Sequence, residues 1–307
     1  MGLLRRRINY DPFLGDKEAR AAAKALDEGD WIPTMALLKG SGDHSFHMGL
    51  IAAEANIRGF HTWADNHPTG QSLTMLAMRQ MADAWAIGRT KAGDRSQSEI
   101  DDAFRAQLAI ADRSVAHACG KDPEMADAWA AAIPIATGLG LGLQSARSRF
   151  DRAHSLHPFH RNATISMLRA HFERWGGSHD SMFGFARWVS GEVPPYSELQ
   201  AVLPIAHLEY VAANGKELIH FARRENVVEL QDVVRRFIDA TPREPARPEQ
   251  LEALNTFVAV LGKLHPLPEQ LLEECILRID DRPTPIPWRR GENDLAEAYS
   301  TFIKDFR

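Results

Sequence analysis

Cysteine is nearly absent from this chain: 307 residues carry two, Cys119 and Cys275, far apart and neither in a C-x-x-C pair. Two lone thiols make no disulfide framework, so both read as small buried apolar residues in a reducing compartment. No uninterrupted apolar run reaches the ~18 residues that a bilayer-spanning helix needs, so no membrane segment is expected. The basic start, Met1 to Arg7, is not followed by an apolar run of signal-peptide length, and Arg6 stands where a myristoylation signal carries Ser or Thr. A cytoplasmic location is the expectation. Basic excess is missing as well: 36 Lys and Arg against 41 Asp and Glu leave a formal charge of -5, with no basic stripe interleaved with aromatics. Nucleic acid is therefore not an expected partner. Alternation of β-branched residues never lasts beyond a few positions, which excludes a sheet-based fold.

Signatures of catalysis are equally scarce. There is no G-x-S-x-G elbow, and Cys119 lacks the surroundings of a catalytic thiol. Ser178-His179-Asp180 holds the residue types of a triad, but consecutive residues do not converge on one point, and Ser178 reads as a helix cap. The run Gly138-Leu139-Gly140-Leu141-Gly142 lacks the third glycine of a dinucleotide fingerprint, with Leu143 in that place, and no Gly-Lys-Ser/Thr follows it. It reads as an interhelical turn.

What the chain does carry is helical periodicity. Asp16 caps a helix to Leu26 that Gly29 ends; Asp30 caps a second, with Pro33 in its first turn. Gly40-Ser41-Gly42 precedes a third helix near Phe46 to Ile57, and the Asn66–Gly70 turn cluster precedes a long one from about Ser72 to Ile87. After a polar loop at Lys91 to Asp94, Ile100, Phe104, Leu108, Ala111 and Val115 mark one stripe of a helix from Ser98 to Ala118. Trp129, Ile133 and Ala136 define the next helix, then Ala146 to Ala153. Ile165, Leu168, Phe172 and Trp175 predict a helix ended by Gly176-Gly177, and Leu199, Leu203, Ala206 and Tyr210 another. A proline-rich connector at 241–248 leads to helices around Glu249–Leu264 and Pro268–Ile279. A segment stiffened by Pro283, Pro285 and Pro287 comes before a last helix, Asp294 to Phe306. Three regions result: an irregular helical N-terminal region, 1–93; helical repeats, 94–240; and C-terminal helices, 241–307.

The middle region repeats. Ala111, Val115, Ala118 and Pro123 recur 35 residues on as Ala146, Phe150, Ala153 and Pro158, and more weakly as Ser181, Phe185 and Trp188, with Pro194 one place late. Phe221 echoes Phe185 at a spacing of 36, and Ile133-Pro134-Ile135-Ala136 returns as Leu203-Pro204-Ile205-Ala206 after 70. A period in this range denotes stacked helical hairpins, each unable to bury its apolar face alone.

The spacing Ala-x3-Phe-x2-Ala-x4-Pro at Ala146, Phe150, Ala153 and Pro158 resembles the second helix of a tetratricopeptide repeat; the first-helix pattern is poorly kept, with Trp129 displaced and the expected Gly and Tyr missing. Trp175-Gly176-Gly177-Ser178 with Phe185-Ala186-Arg187 looks like a group of uncharacterised bacterial helical-repeat proteins. The resemblance covers about residues 98 to 225. It implies an all-α fold, a right-handed α-solenoid of antiparallel helix pairs whose concave side holds peptides or partner proteins, and it implies no reaction and no cofactor. In that architecture Trp129, His171, Trp175, His207 and Tyr210 belong to the groove-lining first helices. Arg161 and Arg169, with Arg147, Arg149, Arg152 and Arg174, offer planar donor forks to an acidic peptide. The expected function is a non-catalytic protein- or peptide-binding scaffold. The alternative is an enzyme, or a metal- or small-molecule-binding regulator, whose N-terminal site is built from His44, His47, His61 and His67; His44 and His47 are one helical turn apart, though without an H-E-x-x-H signature. Homodimerisation through the amphipathic ends is a third option.

Overall fold

Side chains that accept a backbone N–H mark the start of several of these helices, Asp16, Asn56, Thr69, Ser96 and His160 among them. The computed structural model describes residues 10–40, 42–90, 96–288 and 295–304. The basic start at Met1–Arg7, Ser41 of the glycine break, the polar loop at Lys91–Asp94, and both expected ends of the last helix, Asp294 and Phe306, lie outside the described residues. Within them the protein is all-α, 75% helix with no strand. The described residues form two packed units, 16–182 and 183–304 with 10–15.

In the first unit, Asp16 accepts the Ala19 N–H at 2.8 Å and starts α1, Lys17–Asp27, and Gly29 leaves it at φ 86°. Asp30 accepts the Ile32 N–H at the start of α2, Ile32–Leu37, with Pro33 in the first turn. The single helix expected from 46 to 57 is two. α3, Ser45–Glu54, ends where Ala55 turns extended, and Asn56 caps α4, Ile57–Asn66, by accepting the Arg58 N–H. α4 crosses α1 so closely that a Cβ on Gly59 would lie 2.2 Å from the Leu26 carbonyl oxygen.

Reciprocal capping boxes open α5, Gly70–Gly88 (Thr69 with Ser72), and α6, Gln97–Lys121 (Ser96 with Glu99). These two long helices pack along each other. Of the expected α6 stripe, Ile100, Leu108, Ala111 and Val115 are buried, while Phe104 is half-buried beside Trp85 at 5.0 Å. α7, Ala126–Gly138, packs on α6, on α8, Leu143–Leu156, and on α9, Arg161–Ala170. Gly140 and Gly142 adopt φ 69° and 83° between α7 and α8, so the glycine run is an interhelical turn. The repeated positions Ala111, Val115, Ala118 and Ala146, Phe150, Ala153 are core on both α6 and α8. Pro123 and Pro158 follow the two helix ends, where Ala118 and Ala153 carbonyls accept the closing N–H groups at 2.9 and 2.8 Å.

The helix expected to run through Trp175 stops earlier. Phe172 is extended after α9, Glu173–Trp175 form a 3₁₀ turn, and Gly176 closes it in the left-handed region, as its position suggested. Ser178 then starts α10, His179–Glu192, by exchanging hydrogen bonds with Ser181.

In the second unit, a 3₁₀ turn at Glu198–Ala201 leads into α11, Val202–Asn214. Pro204 therefore lies in the first turn of its helix, whereas Pro134 lies inside α7, and the two echoing prolines are not equivalent. α12, Glu217–Ala222, and α13, Arg224–Ala240, have no counterpart among the helices expected from the sequence. α13 is amphipathic all the same, burying Val227, Leu230, Val233, Val234, Phe237 and Ile238. Then follow α14, Pro248–Leu261, α15, Glu269–Ile279, α16, Pro285–Trp288, and α17, Leu295–Lys304. Phe237 of α13 meets Phe257 of α14 edge to face at 5.2 Å in the core. Arg278 of α15 is buried, donating to the Ile238 and Thr241 carbonyls and to Glu274, and so ties α15 to the end of α13. Among the described residues no helix is long and apolar enough to cross a membrane.

Candidate functional site

Three helices of the first unit enclose a groove of about 840 Å³. α6 supplies Asp112, Val115 and Cys119, α7 supplies Trp129 and Ala132, α8 supplies Ser145, Ser148 and Arg149, and the glycine turn supplies Leu141. One side is apolar. Trp129 is half-buried with its indole N–H already given to the Pro123 carbonyl at 2.9 Å, which leaves the ring as its contribution, and Leu141, in the same lining, is 48% exposed. The other side is polar: Arg149 lies 3.8 Å from Asp112 and donates to Ser145. Burial pushes the Cys119 thiol up to about 11 against the pull of Arg149, so the groove carries no ready nucleophile in that thiol.

The other expected groove residues are distributed as follows. His171 is buried with Nδ1 3.1 Å from the Ser181 hydroxyl; burial, aided by Arg147, holds its pKa below the ordinary imidazole value. Trp175 is half-buried, edge-on to Trp85 at 5.8 Å. Arg161, first residue of α9, lays its guanidinium over Phe46 at 5.7 Å, and Arg169 is half-buried in the last turn of α9. His207 and Tyr210 belong to the second unit. Trp129 is thus the member of the set that lines the groove.

Sequence reasoning missed two buried polar clusters. In the first unit, His160 at the start of α9 directs Nε2 to Asp127 of α7 at 2.9 Å and to Asp43 at 3.4 Å. Asp43 also accepts from the Ser45 N–H and hydroxyl and from the Arg161 N–H, starting α3 and meeting α9. Burial raises the Asp43 carboxyl, but His160 and these donors outweigh it and hold the group below its ordinary value. Among the described residues these three side chains are the group with metal-ligand proximity. Their hydrogen bonding favours a structural clasp: His160 Nδ1 accepts the Ala163 N–H at 3.4 Å, so the ring proton sits on Nε2, the nitrogen that would have to bind an ion.

In the second unit, His207 of α11 is fully buried, with Nε2 3.1 Å from Glu229 of α13 and Nδ1 2.8 Å from Nε2 of His220 on α12. Asn226 donates to the His220 carbonyl at 2.8 Å and lies 3.3 Å from its Nδ1. Tyr210 stacks on the His220 ring at 4.7 Å, and Phe183 meets His207 edge-on at 4.9 Å. Arg187 holds Glu229 through both carboxylate oxygens, at 2.7 and 3.2 Å. Burial works to raise the Glu229 carboxyl, yet hydrogen bonds from His207 and Arg187 bring it down to about 2. Burial, with His207 and Arg223 nearby, lowers His220 to about 4. Residues this far apart in sequence carry no local spacing signal that would have joined them.

The four N-terminal histidines are not brought into such a group, among the described residues. His44 bonds the Gly40 carbonyl at 3.2 Å, His47 lies 3.2 Å from Asp16, and His61 and His67 are exposed on and just after α4. Set against known protein families and curated proteins, the chain matches no family model and no curated protein.

Proposed function

We propose that this protein is a non-catalytic scaffold that binds a peptide segment of a partner protein in the α6–α7–α8 groove, within a tetratricopeptide-like stack of helical hairpins. The observation that carries the reading is the groove itself. An indole and an exposed leucine both line a cleft of about 840 Å³, a size within the ~300–1,000 Å³ span of ligand clefts. The 35-residue register supports the stacked-hairpin part, because the repeated positions on α6 and α8 are core and the prolines after them fall just beyond helix ends. The occupant has an apolar side chain to fill the space between Trp129 and Leu141. A carboxylate beside that anchor exchanges with Asp112 as the partner of Arg149.

Selection from a displayed random-peptide library on the immobilised full chain tests this. Enriched peptides share an apolar anchor and lose at least about tenfold in affinity for the Leu141→Asp and Trp129→Ala variants. Failure to enrich any peptide, or enrichment that both variants leave unchanged, would refute the reading.

A further inference from the structure

A second cleft, of about 610 Å³, lies in the second unit between the end of α13, the start of the proline-rich connector and α15. Part of its lining is already paired off. Arg278, 4% exposed, gives all five of its N–H groups to the protein: two to Glu274 Oε1, one each to the Thr241 carbonyl and hydroxyl, and one to the Ile238 carbonyl. It therefore has no donor left for a ligand, and its charge offsets that of Glu274. The remaining polar groups are unspent. Arg235 of α13 makes no hydrogen bond or ion pair among the described residues, and Arg243 of the connector has only the Glu274 carboxylate, at 3.8 Å. Asp239 of α13 and the Gln270 amide, in the first turn of α15, are likewise unbonded there. With Arg278 and Glu274 set aside, two guanidiniums, those of Arg235 and Arg243, stand against one carboxylate, that of Asp239.

We propose that this cleft binds a small phosphate monoester with a hydroxylated body, a sugar phosphate in kind: Arg235 and Arg243 hold the phosphoryl oxygens, and Asp239 and Gln270 take the hydroxyls. A guanidinium donates two parallel N–H groups to a phosphoryl group, and the phosphoryl oxygens are enough for two such forks. Asp239 only accepts, so it repels the phosphoryl group and receives a hydroxyl, while the Gln270 amide both donates and accepts. The apolar share of the lining is aliphatic, Ile238 and Leu271. No aromatic residue is among the lining residues, so a nucleobase has no ring to stack on. The volume falls within the ~300–1,000 Å³ span of small-molecule clefts.

Isothermal titration calorimetry of the full chain with glucose 6-phosphate, inorganic phosphate and succinate tests the assignment, at ~50 mM salt so that charge pairing is only partly screened. Glucose 6-phosphate binds once per chain with a Kd below about 1 mM. Succinate, which carries charge without a phosphoryl group, binds at least about tenfold more weakly. Arg235→Gln and Arg243→Gln each weaken glucose 6-phosphate at least about tenfold. Arg224→Gln removes an equal charge from the start of α13, outside the cleft, and changes the affinity less than about twofold. Thermal midpoints of these variants stay at that of the unmodified chain, since none of the three side chains is hydrogen-bonded in the fold. Asp239→Asn separates the two phosphates: it weakens the sugar ester by removing a hydroxyl acceptor and tightens inorganic phosphate by removing a repelling charge. The proposal is overturned by no binding of glucose 6-phosphate up to about 10 mM, by succinate binding as tightly, or by Arg224→Gln losing as much as the cleft variants. A shift of both phosphates in the same direction in Asp239→Asn also overturns it.

Discussion

Replacing His160 by alanine removes the centre of the clasp that joins α3, α7 and α9. The loss has three parts. Asp127, only 4% exposed, loses the imidazole N–H at 2.9 Å; hydrogen bonds to a charged group are worth ~1.5–3 kcal/mol, and a buried carboxylate left alone costs still more. Asp43 loses a nearby donor but keeps three others, so its share is small. The Ala163 N–H loses its cap, at ~1 kcal/mol, although a 3.4 Å bond places this at the lower end. A total of about 3–5 kcal/mol follows for the first unit, measurable by urea denaturation with exchange or fluorescence probes placed in residues 16–182. The same reasoning makes Asp127→Ala rescue His160→Ala in part, with a coupling energy of about 2 kcal/mol in the double-mutant cycle. A His160→Ala cost under ~1 kcal/mol, or a coupling near zero, would show that Asp127 is hydrated and that the clasp holds nothing.

Gly59→Ala should destabilise the α1–α4 crossing by roughly 2–3 kcal/mol, since its Cβ would sit 2.2 Å from a backbone oxygen that cannot swing aside; an unchanged thermal midpoint would contradict that packing. Glu229→Gln should cost about 1–2 kcal/mol at pH 7, a figure reduced for its quarter-exposed side chain. Because the folded-state pKa of Glu229, about 2, lies below the ordinary 4.5, its stabilisation is complete above pH 4.5 and is lost as pH falls toward 2; denaturation curves of the two proteins should converge over that window. Cys119, raised from 9.0 to about 11, should react with iodoacetamide at pH 8 roughly 90-fold more slowly than a thiol at the starting value, and rapid alkylation of the native protein would argue against its burial.

Local signals were legible and long-range ones were not. Asp16, Ser178 and the α6 stripe announce their roles within a few residues, because a cap or an amphipathic face is specified by its own neighbours. The break between α3 and α4 turns on one extended residue, Ala55, and an Asn cap inside an otherwise helical composition. α13 was readable in principle, since Val227, Leu230, Val234 and Phe237 recur at spacings of three, four and three. The 36-residue echo at Phe221 instead falls in the six-residue α12, just before α13 begins. The weak third copy of the repeat shows where the register fades: Phe185 is buried, but Trp188 at the next position is 40% exposed. Of the seven residues expected to meet a partner, Trp129 lines the groove, while His207 lies in the core. An aromatic or imidazole ring at helical spacing serves either purpose, and only the packing distinguishes them. The His160 clasp and the His207–Glu229 cluster both join residues on different helices, so no window of sequence contains them.

The central claim is that the α6–α7–α8 groove receives a peptide, and fluorine NMR of the 5-fluorotryptophan-labelled full chain addresses it most directly. Titration with a library-selected peptide should move the Trp129 resonance, assigned through Trp129→Phe, and leave the core residue Trp63 where it was. Saturable binding with the Trp129 signal unmoved would place the peptide elsewhere and contradict the account.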